Sequence, residues 1–454
     1  MTLSVLLTDT NRWAGSARLA IALSQRGCHV SVVCPPSGTP LRTVRAIREV
    51  FDYGVVHPLD SIATAIEASN PQLIIPCDDR AVQHLHELHA KARLRGEFGG
   101  NTAQLIERSL GSPGSYPIVS ARYSFLKVAR DEALLIPETR LIAGLDDLKS
   151  RSRCSSKCTF PMVLKADGTW GGNGVRIAHT QAQAEQFFLE LTRIPRPASV
   201  LKRLILERDR FWVRSWWQAK RPSVIAQSYV QGRPGNCAVV CWQGKVLAGI
   251  AAEVVSAQLS EGPANIVQIL DNPQMMLCAE RIARRLGLSG FFGLDFMIEE
   301  RTGSTYLIEM NPRCTQLSHL QLGKGKDLIS ALCSQISGQP LQEPPPVTRN
   351  TVVAYFPSAW NCESELLQSS FPDIPMGEIG LIRELLKPSR DRTLFGHVLD
   401  QLRHFASQGP VGKRTAFAKL RSHNALPSPK TRVSPELAGR PVTSQKVLGF
   451  AEKG

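Results

Sequence analysis

The strongest constraint on the fold is the alternation of short apolar runs with amphipathic stretches in the first third of the chain. The run LSVLLTD (3–9) predicts a strand, GSARLAIALSQRG (15–27) predicts a helix, and HVSVVCPP (29–36) predicts a second strand closed by prolines. Residues 60–93 repeat the order helix, strand, helix. Strands that alternate with helices predict a parallel, doubly wound sheet in an α/β fold.

The turn after the first predicted strand carries no dinucleotide signature. Its sequence, TDTNRWAG (8–15), lacks the G-x-G-x-x-G spacing with which such sheets hold a pyrophosphate, so we do not expect this domain to bind a dinucleotide. Asp78 and Asp79 follow the predicted strand that ends at Pro76. Open sheets place ligands at that edge, so these two aspartates either face a substrate or cap the next helix.

Three histidines lie on the helix predicted to follow Asp79. They are His84, His86 and His89, and only the last two share a helical face. No carboxylate ligand accompanies them in the sequence. We therefore expect surface histidines rather than a metal site.

Composition and cysteine usage restrict the class of protein. The 454 residues are 43% hydrophobic and 20% charged, which indicates a globular chain of about three domains. No uncharged apolar stretch approaches the length of about 20 residues that spans a bilayer, and the first residues do not resemble a signal peptide. The eleven cysteines include no paired CxxC motifs, which favours reduced thiols. We expect a soluble, cytoplasmic protein.

The positive charge of the chain is concentrated in two segments. The formal net charge is +15, and residues 401–454 hold ten Lys and Arg against two Glu. This composition predicts a disordered tail that is either solvated or in weak contact with an anionic lipid surface, nucleic acid or an acidic partner. Residues 193–224 combine basic side chains with aromatic ones, and either pack inward or contact an anionic surface or an acidic substrate.

A glycine-rich stretch directly follows an apolar strand. In KADGTWGGNGV (165–175), Lys165 is followed by glycines at positions 168, 171, 172 and 174. Bare backbone N–H groups beside a lysine can hold phosphate oxygens, and a glycine-rich hairpin turn would have a similar sequence. The G-x-x-x-x-G-K-[ST] motif of the usual P-loop is absent from the chain.

A second stretch predicts a hairpin with polar residues on one face. Phe292, Leu294 and Phe296 alternate with smaller or polar residues on its first strand, and residues 306–310 form the return strand. One face of the hairpin can present two carboxylates and an amide, which suit Mg²⁺, with an arginine two residues further. The four residues are Asp295, Glu309, Asn311 and Arg313. A strand pair with surface charges is the alternative, but it gives no reason for their spacing.

Together these motifs resemble the ATP-grasp superfamily, and especially its carboxylate–amine ligase branch, over about residues 1–345. The resemblance implies that Lys165 and the glycine loop lie over the phosphates of ATP. It implies that Asp295, Glu309 and Asn311 bind Mg²⁺ or Mn²⁺, and that Arg313 stabilises an acyl phosphate. The implied loop glycines are Gly171, Gly172 and Gly174.

The resemblance implies two further site positions, at which this chain has a different residue type from the one usual in the family. Arg122 stands where the family usually has a lysine that contacts ATP; it keeps the charge and changes its geometry. Gln227 stands where the adenine-binding strand usually has a glutamate. The backbone of Tyr229 and Val230 would then lie at the base and ribose.

The resemblance also predicts the domain organisation. A Rossmann-like domain (1–115) would precede the ATP-grasp domain (116–345), whose lid covers about residues 155–226. A small C-terminal module (346–404) and a basic tail (405–454) would follow.

The function that the resemblance implies is ATP-dependent ligation. A small carboxylate would be phosphorylated by Mg-ATP and then captured by an amine or similar nucleophile, with release of ADP and phosphate. The enzyme would act on small molecules and could form a homodimer. A degenerate nucleotide-binding regulator or scaffold is the alternative from another class, and a carboxylating or carbamoyl-forming enzyme is the alternative within the same class.

Overall fold

The computed structural model describes residues 2–94, 96–149, 160–168, 174–193, 222–257, 263–340, 351–361 and 366–387. Residues Met1–Pro388 form one compact unit. The basic tail, most of the basic aromatic stretch 193–224, and glycines 171 and 172 lie outside the described residues.

The predicted parallel, doubly wound sheet is confirmed at the start of the chain. Its four strands run parallel in the order β3-β2-β1-β4, so the chain reverses its direction of winding between β1 and β4. The strands are β1 Ser4–Thr8, β2 His29–Cys34, β3 Glu49–Asp52 and β4 Leu73–Pro76. The helices around it are Ala14–Gln25, Pro58–Ser69, Asp79–Leu94 and Glu97–Leu110.

A second, antiparallel sheet contains the strand that ends in Lys165 and Ala166. Its order is β5-β8-β6-β7, and β6 pairs directly with β7 on either side of the glycine-rich stretch. The strands are β5 Thr139–Ile142, β6 Met162–Ala166, β7 Val175–Ala178 and β8 Val224–Ser228. The helices Leu145–Lys149 and Gln181–Leu191 accompany this sheet, and Phe188 of the second one packs against Leu164 in its core. We call this sheet and its two helices the lid.

The third sheet has seven strands and contains the predicted hairpin as β12 and β13. Its order is β13-β12-β9-β10-β11-β14-β15, antiparallel except for the last pair. The strands are β9 Gly232–Trp242, β10 Lys245–Ala257, β11 Ala264–Leu270, β12 Gly290–Glu299, β13 Thr305–Asn311, β14 Val352–Tyr355 and β15 Phe371–Asp373. Strands β14 and β15 come from the segment predicted as a C-terminal module and extend this same sheet.

Helices cover both faces of the seven-stranded sheet because its central strands are apolar on both sides. Along β9, Ala238 and Val240 pack into one core, and Val239 and Cys241 pack into the other. The helix Leu328–Ser337 contributes to the first core and the helix Pro273–Leu286 to the second. Each fully buried aliphatic or aromatic side chain in these cores contributes roughly 1.5–3 kcal/mol.

The remaining short helices connect these layers. They are Tyr116–Val119, Arg122–Asp131, Leu366–Ser369 and Ile379–Leu385. Within the part of the chain that the structure describes, no helix combines the length and the apolar character needed to cross a membrane.

The expectation of surface histidines is wrong. His84 and His89 are buried: the Tyr53 hydroxyl lies 2.9 Å from His84 Nε2, and His89 Nε2 lies 2.7 Å from Glu107 Oε1. His86 stacks on Tyr116 with ring centroids 4.1 Å apart. The helix Glu97–Leu110 packs on the helix Asp79–Leu94, and covers side chains that a single amphipathic helix would expose.

Candidate active site

Three neighbouring strands of the seven-stranded sheet place polar side chains side by side. Asp295 on β12 lies between Asn236 on β9 and Glu309 on β13, as the cross-strand partner of each. The apolar neighbours of Asp295, Leu294 and Phe296, are fully buried. Because successive side chains of a strand alternate between faces, the three polar residues lie on the opposite face, where they form a cluster.

The Asp295 carboxylate is oriented by two amides. Asn236 Nδ2 donates to one of its oxygens at 2.8 Å, and Asn311 Nδ2 donates to the other at 2.9 Å. Burial raises the pKa of Asp295, and the neighbouring Glu309 charge raises it further, although both amides oppose the shift. Asp295 therefore lies in a site where a bound cation would relieve unfavourable negative charge.

Arg122 begins the helix Arg122–Asp131 and reaches this cluster from outside the sheet. Its Nη2 donates to Glu309 Oε1 at 2.8 Å, and its backbone N–H donates to Asp167 Oδ1 at 3.3 Å. Burial opposes the charged form, but Glu309 and Asp167 outweigh it and raise the pKa of Arg122. Burial also raises the pKa of Asp167, against the effect of Arg122.

Lys165 approaches the same strands from the lid. It is only 6% exposed, and its Nζ lies 3.5 Å from the carbonyl oxygen of Ile308, next to Glu309. After β6 the chain turns at Gly168, whose φ of +73° suits glycine. The carbonyl of Gly174 then accepts a hydrogen bond from Ala166 N–H at 3.0 Å. Gly171 and Gly172 lie outside the described residues, so their predicted contact with phosphate stays a prediction.

The three residues predicted at the adenine and ribose are on β8 and directly after it. Gln227 is 2% exposed and donates from Nε2 to Thr139 Oγ1 at 3.1 Å across the lid sheet. Tyr229 is exposed and Val230 is half-buried. The Gln227 side chain therefore has a partner within the lid, and its role toward a base stays a prediction.

Arg313 connects the cluster to the N-terminal sheet. Its Nη2 donates to Asn311 Oδ1 at 3.2 Å, and its Nε lies 3.1 Å from Asp79 Oδ1. The guanidinium carbon lies 6.0 Å from the centroid of the Trp13 ring, within range of a cation–π contact. Burial opposes the charge of Arg313, but Asp79 outweighs it and raises the pKa. Arg313 is therefore held in its charged form.

The two aspartates after β4 have different partners. Asp78 accepts hydrogen bonds from Ala81 N–H at 2.9 Å and from Thr10 N–H at 2.6 Å, so it caps the helix and ties it to the loop after β1. Asp79 pairs with Arg313 instead. Of the two predicted roles, the structure supports the cap for Asp78, and it gives Asp79 a contact at the candidate site.

Sequence reasoning missed Asn236, Asp167 and the pairing of Asp79 with Arg313. Asn236 lies in the stretch GRPGN and Asp167 in KADG, both inside motifs already noted, but only their strand register and contacts reveal their partners. These partners are distant in sequence, so local spacing does not report them.

The donor set fits a hard divalent cation. The carboxylates of Asp295 and Glu309 and the amide oxygen of Asn311 are the kind of oxygen ligands that Mg²⁺ takes. Among the described residues, no group of three or more His, Cys, Asp or Glu side chains could hold a metal. A cation held here would therefore have two carboxylates and an amide from the protein, which leaves coordination positions for phosphate oxygens.

Comparison with known proteins gives the relatives of this chain. Residues 132–343 match the family model described as "Carbamoyl-phosphate synthase L chain, ATP binding domain". The chain is 21% identical over 390 residues to the N-terminal section of the carbamoyl phosphate synthase large chain from Aquifex aeolicus, and covers 61% of that protein. It is 23% identical over 316 residues to the large chain from Thermotoga maritima, of which it covers 27%. These alignments include 82% and 66% of this chain.

Solved structures show the same fold. An ADP complex of N5-carboxyaminoimidazole ribonucleotide synthetase matches with a TM-score of 0.52 and 14% identity, over 77% of this chain and 81% of that one. Biotin carboxylase from Campylobacter jejuni matches with a TM-score of 0.50 and 14% identity, over 73% and 71% of the two chains.

The architecture combines a small antiparallel lid sheet with a larger, mostly antiparallel core sheet, and the part of the chain that holds both matches the model of an ATP-binding domain. The family match over residues 132–343 and the shared fold confirm the predicted resemblance to the ATP-grasp superfamily and its carboxylate–amine ligase branch.

Proposed function

We propose that this protein is an ADP-forming ligase, which joins a small carboxylate to an amine or similar nucleophile through an acyl phosphate. The observation that supports this most is that side chains from β12, from β13, from the segment directly after β13 and from the lid strand β6 meet at one place. Asp295 and Glu309 are cross-strand partners, Asn311 binds both Asp295 and Arg313, and Lys165 reaches the neighbouring backbone from the lid. A protein that only binds nucleotide has no need for Arg313 beside the carboxylates.

The residues of the chain have separate roles in this proposal. Asp295, Glu309 and Asn311 would hold Mg²⁺, which would neutralise negative charge on the phosphates of ATP. Lys165 would hold the phosphates from the lid side. Arg313 would face the oxygens of the transferred phosphoryl group, where a fixed positive charge stabilises charge that develops in the transition state.

Proton transfer is a small part of this chemistry. The substrate carboxylate is already a nucleophile, so the protein contributes mainly by positioning the reactants and by excluding water. The lid would close over the acyl phosphate, because water would otherwise hydrolyse it. The proposed ATP site is completed by seven further residues: Arg122, Gly171, Gly172, Gly174, Gln227, Tyr229 and Val230.

The identity of the substrates is a separate part of the proposal. The chain spans 61% of the Aquifex relative and 27% of the Thermotoga maritima large chain. Because it covers only part of each, the carbamoyl phosphate synthesis named for those proteins is not assigned to this chain. Ligation of two small molecules is the reaction that we propose here. A cytoplasmic location and a homodimer are also proposals; one similar structure is described as a biotin carboxylase domain dimer with MgADP.

Two observations favour a second candidate function, a nucleotide-binding regulator or scaffold. Arg122 already neutralises Glu309, and Gln227 is buried with a partner inside the lid. A chain that had lost turnover could keep both arrangements.

Magnesium-dependent ADP release distinguishes the two functions. The full chain is incubated with Mg-ATP and pools of small carboxylates and amines, beside Glu309→Gln and Arg313→Ala. The exposed Glu280→Gln and Arg301→Ala are matched controls for loss of the same side-chain types. We expect one pool to raise ADP release, both site variants to abolish the increase, and both controls to keep it.

If nucleotide binds but no pool raises ADP release above the level of Glu309→Gln, the ligase proposal loses its support and the regulator is favoured. Sedimentation velocity on the same samples tests the homodimer.

A further inference from the structure

Two cysteines from distant parts of the chain meet outside the candidate active site. Cys28 lies between the helix Ala14–Gln25 and β2, and Cys333 lies on the helix Leu328–Ser337. Their Sγ atoms are 3.4 Å apart, although 305 residues separate them in sequence. Both residues belong to the apolar core between the N-terminal sheet and the large sheet. The contact therefore joins two parts of the fold that no short loop connects.

The two thiols differ in access and in environment. Cys28 is buried, at 6% exposed, whereas Cys333 is half-buried and can meet a small solute. Arg26 lies close by, where it pairs with Asp327 and donates to Gln321 Oε1 at 3.2 Å. The hydrogen bond with Cys28 lowers the pKa of Cys333, and Arg26 adds to this, against burial and Asp327. A partly exposed thiol beside an arginine is the kind of thiol that reacts as a thiolate.

We propose that Cys28 and Cys333 form an oxidation site, which closes to an intramolecular disulfide in the presence of a peroxide. The Cys333 thiolate attacks a peroxide oxygen and the O–O bond breaks, so that hydrogen peroxide yields a sulfenic acid and a hydroxide. The hydroxide takes up the proton that the Cys333 thiol had released and leaves as one water. The Cys28 sulfur then attacks the sulfenic sulfur, the S–O bond breaks, and a second water leaves. Two thiols are oxidised and one peroxide is reduced, so the step balances.

The disulfide would fasten the N-terminal sheet to the core helix Leu328–Ser337. The contact between Asp79 and Arg313 also joins the N-terminal domain to residues that follow β13. A Cys28–Cys333 disulfide would therefore restrain the helix that carries Asp79 relative to the segment that carries Arg313. This site is independent of the ligase proposal, because it needs neither nucleotide nor metal.

A second thiol pair provides an internal comparison. Cys314 lies close enough to Cys77 to raise the pKa of the Cys77 thiol, and the Cys314 N–H donates to the Pro76 carbonyl at 3.4 Å. Both residues are 1% exposed. If proximity of the two thiols were sufficient, both pairs would oxidise. Because a peroxide can reach only the half-buried Cys333, we expect the disulfide to form between Cys28 and Cys333 and not between Cys77 and Cys314.

Peptide mapping without reductant tests the proposal on the full chain. Cys154, Cys158 and Cys362 lie outside the described residues and are replaced by serine in the background used, so that they do not compete. After treatment with hydrogen peroxide, we expect a mass loss of about 2 Da and a linked peptide that contains Cys28 and Cys333. Dithiothreitol should reverse both changes.

Matched variants make the result specific. Cys333→Ser and Cys28→Ser should each prevent the mass loss, and Cys77→Ala should leave it unchanged. The oxidised protein should unfold at a higher temperature than the reduced protein, and Cys333→Ser should show no such shift. Formation of a Cys77–Cys314 link at an equal rate, or oxidation of Cys333 to a sulfinic acid with no linked peptide, would overturn the proposal.

Discussion

Arg122 and Glu309 form a hydrogen-bonded ion pair between the start of a helix and strand β13, with Nη2 and Oε1 2.8 Å apart. The same guanidinium donates to the carbonyl of Ala166, the last residue of β6. One side chain thus contacts both the lid strand and a proposed metal ligand. A cation that binds Glu309 through Oε1 must compete with Arg122 for that oxygen.

Replacement of Arg122 by glutamine should strengthen the binding of Mn²⁺ in the absence of nucleotide. Glu309 would no longer have a cationic neighbour, and a change of about 1.4 kcal/mol would correspond to an affinity about tenfold higher. Calorimetric titration with MnCl₂ measures the affinity. Arg140→Gln is the control, because Arg140 donates to the Asp147 carbonyl inside the lid. Equal Mn²⁺ affinity in a folded Arg122→Gln protein would show that Arg122 does not compete with the cation.

Asn236→Ala should weaken Mn²⁺ binding. Asp295 would lose one of the two amide donors that orient its carboxylate, and loss of such a supporting contact typically costs about 10- to 100-fold in metal affinity. The same titration measures the effect, with thermal unfolding as the check that the variant is folded. Gln268→Ala removes an exposed amide from β11 and should bind Mn²⁺ as the unaltered protein does. If both variants bind equally well, Asp295 does not depend on Asn236.

Asp79→Asn should slow ADP formation with little effect on nucleotide binding. Asp79 lies 3.1 Å from Arg313 and stabilises its charge, so the substitution would leave Arg313 less firmly oriented. We expect a fall in turnover of about tenfold, equivalent to about 1.4 kcal/mol of transition-state stabilisation. The exposed Asp60→Asn is the matched control. A fall in nucleotide affinity of the same size would point to a general structural role for Asp79.

The lowered pKa of His86 should reduce the free energy of unfolding in mild acid. Burial lowers the pKa of His86 to about 4, and the neighbouring His89 adds to this, whereas a histidine in the unfolded chain has a pKa of about 6.5. Between these values the unfolded chain binds a proton that the folded chain does not, so stability is complete above about pH 6.5 and falls as the pH drops toward 4. At pH 5 the loss would be up to about 2 kcal/mol.

Denaturant unfolding at pH 7 and pH 5 measures this dependence. His86→Phe keeps a ring to stack on Tyr116 and removes the titrating group, so it should show a smaller loss on acidification. The exposed His57→Gln should behave as the unaltered protein does. An equal loss in His86→Phe would assign the acid sensitivity to other groups.

Local sequence patterns predicted the parts of the site that depend on strand periodicity. Glu309, Asn311 and Arg313 follow at intervals of two, and a hairpin places Asp295 opposite Glu309, so their nearness follows from alternation and from one turn. The parallel N-terminal sheet was predictable in the same way, because alternating apolar runs and amphipathic helices have few other ways to bury their apolar faces.

The contacts between distant segments were decided only by the tertiary structure. Arg122 is 187 residues from Glu309, and Cys28 is 305 residues from Cys333, so no periodicity relates the members of either pair. His89 is buried where its helix meets a second helix and its Nε2 lies beside Glu107, which an amphipathic pattern on one helix cannot report. The sequence by itself determined which faces are apolar and which side chains share a strand face. The packing of sheets and helices against one another decided which of those faces meet, because burial of apolar surface is non-directional and leaves the choice of partner to the whole fold.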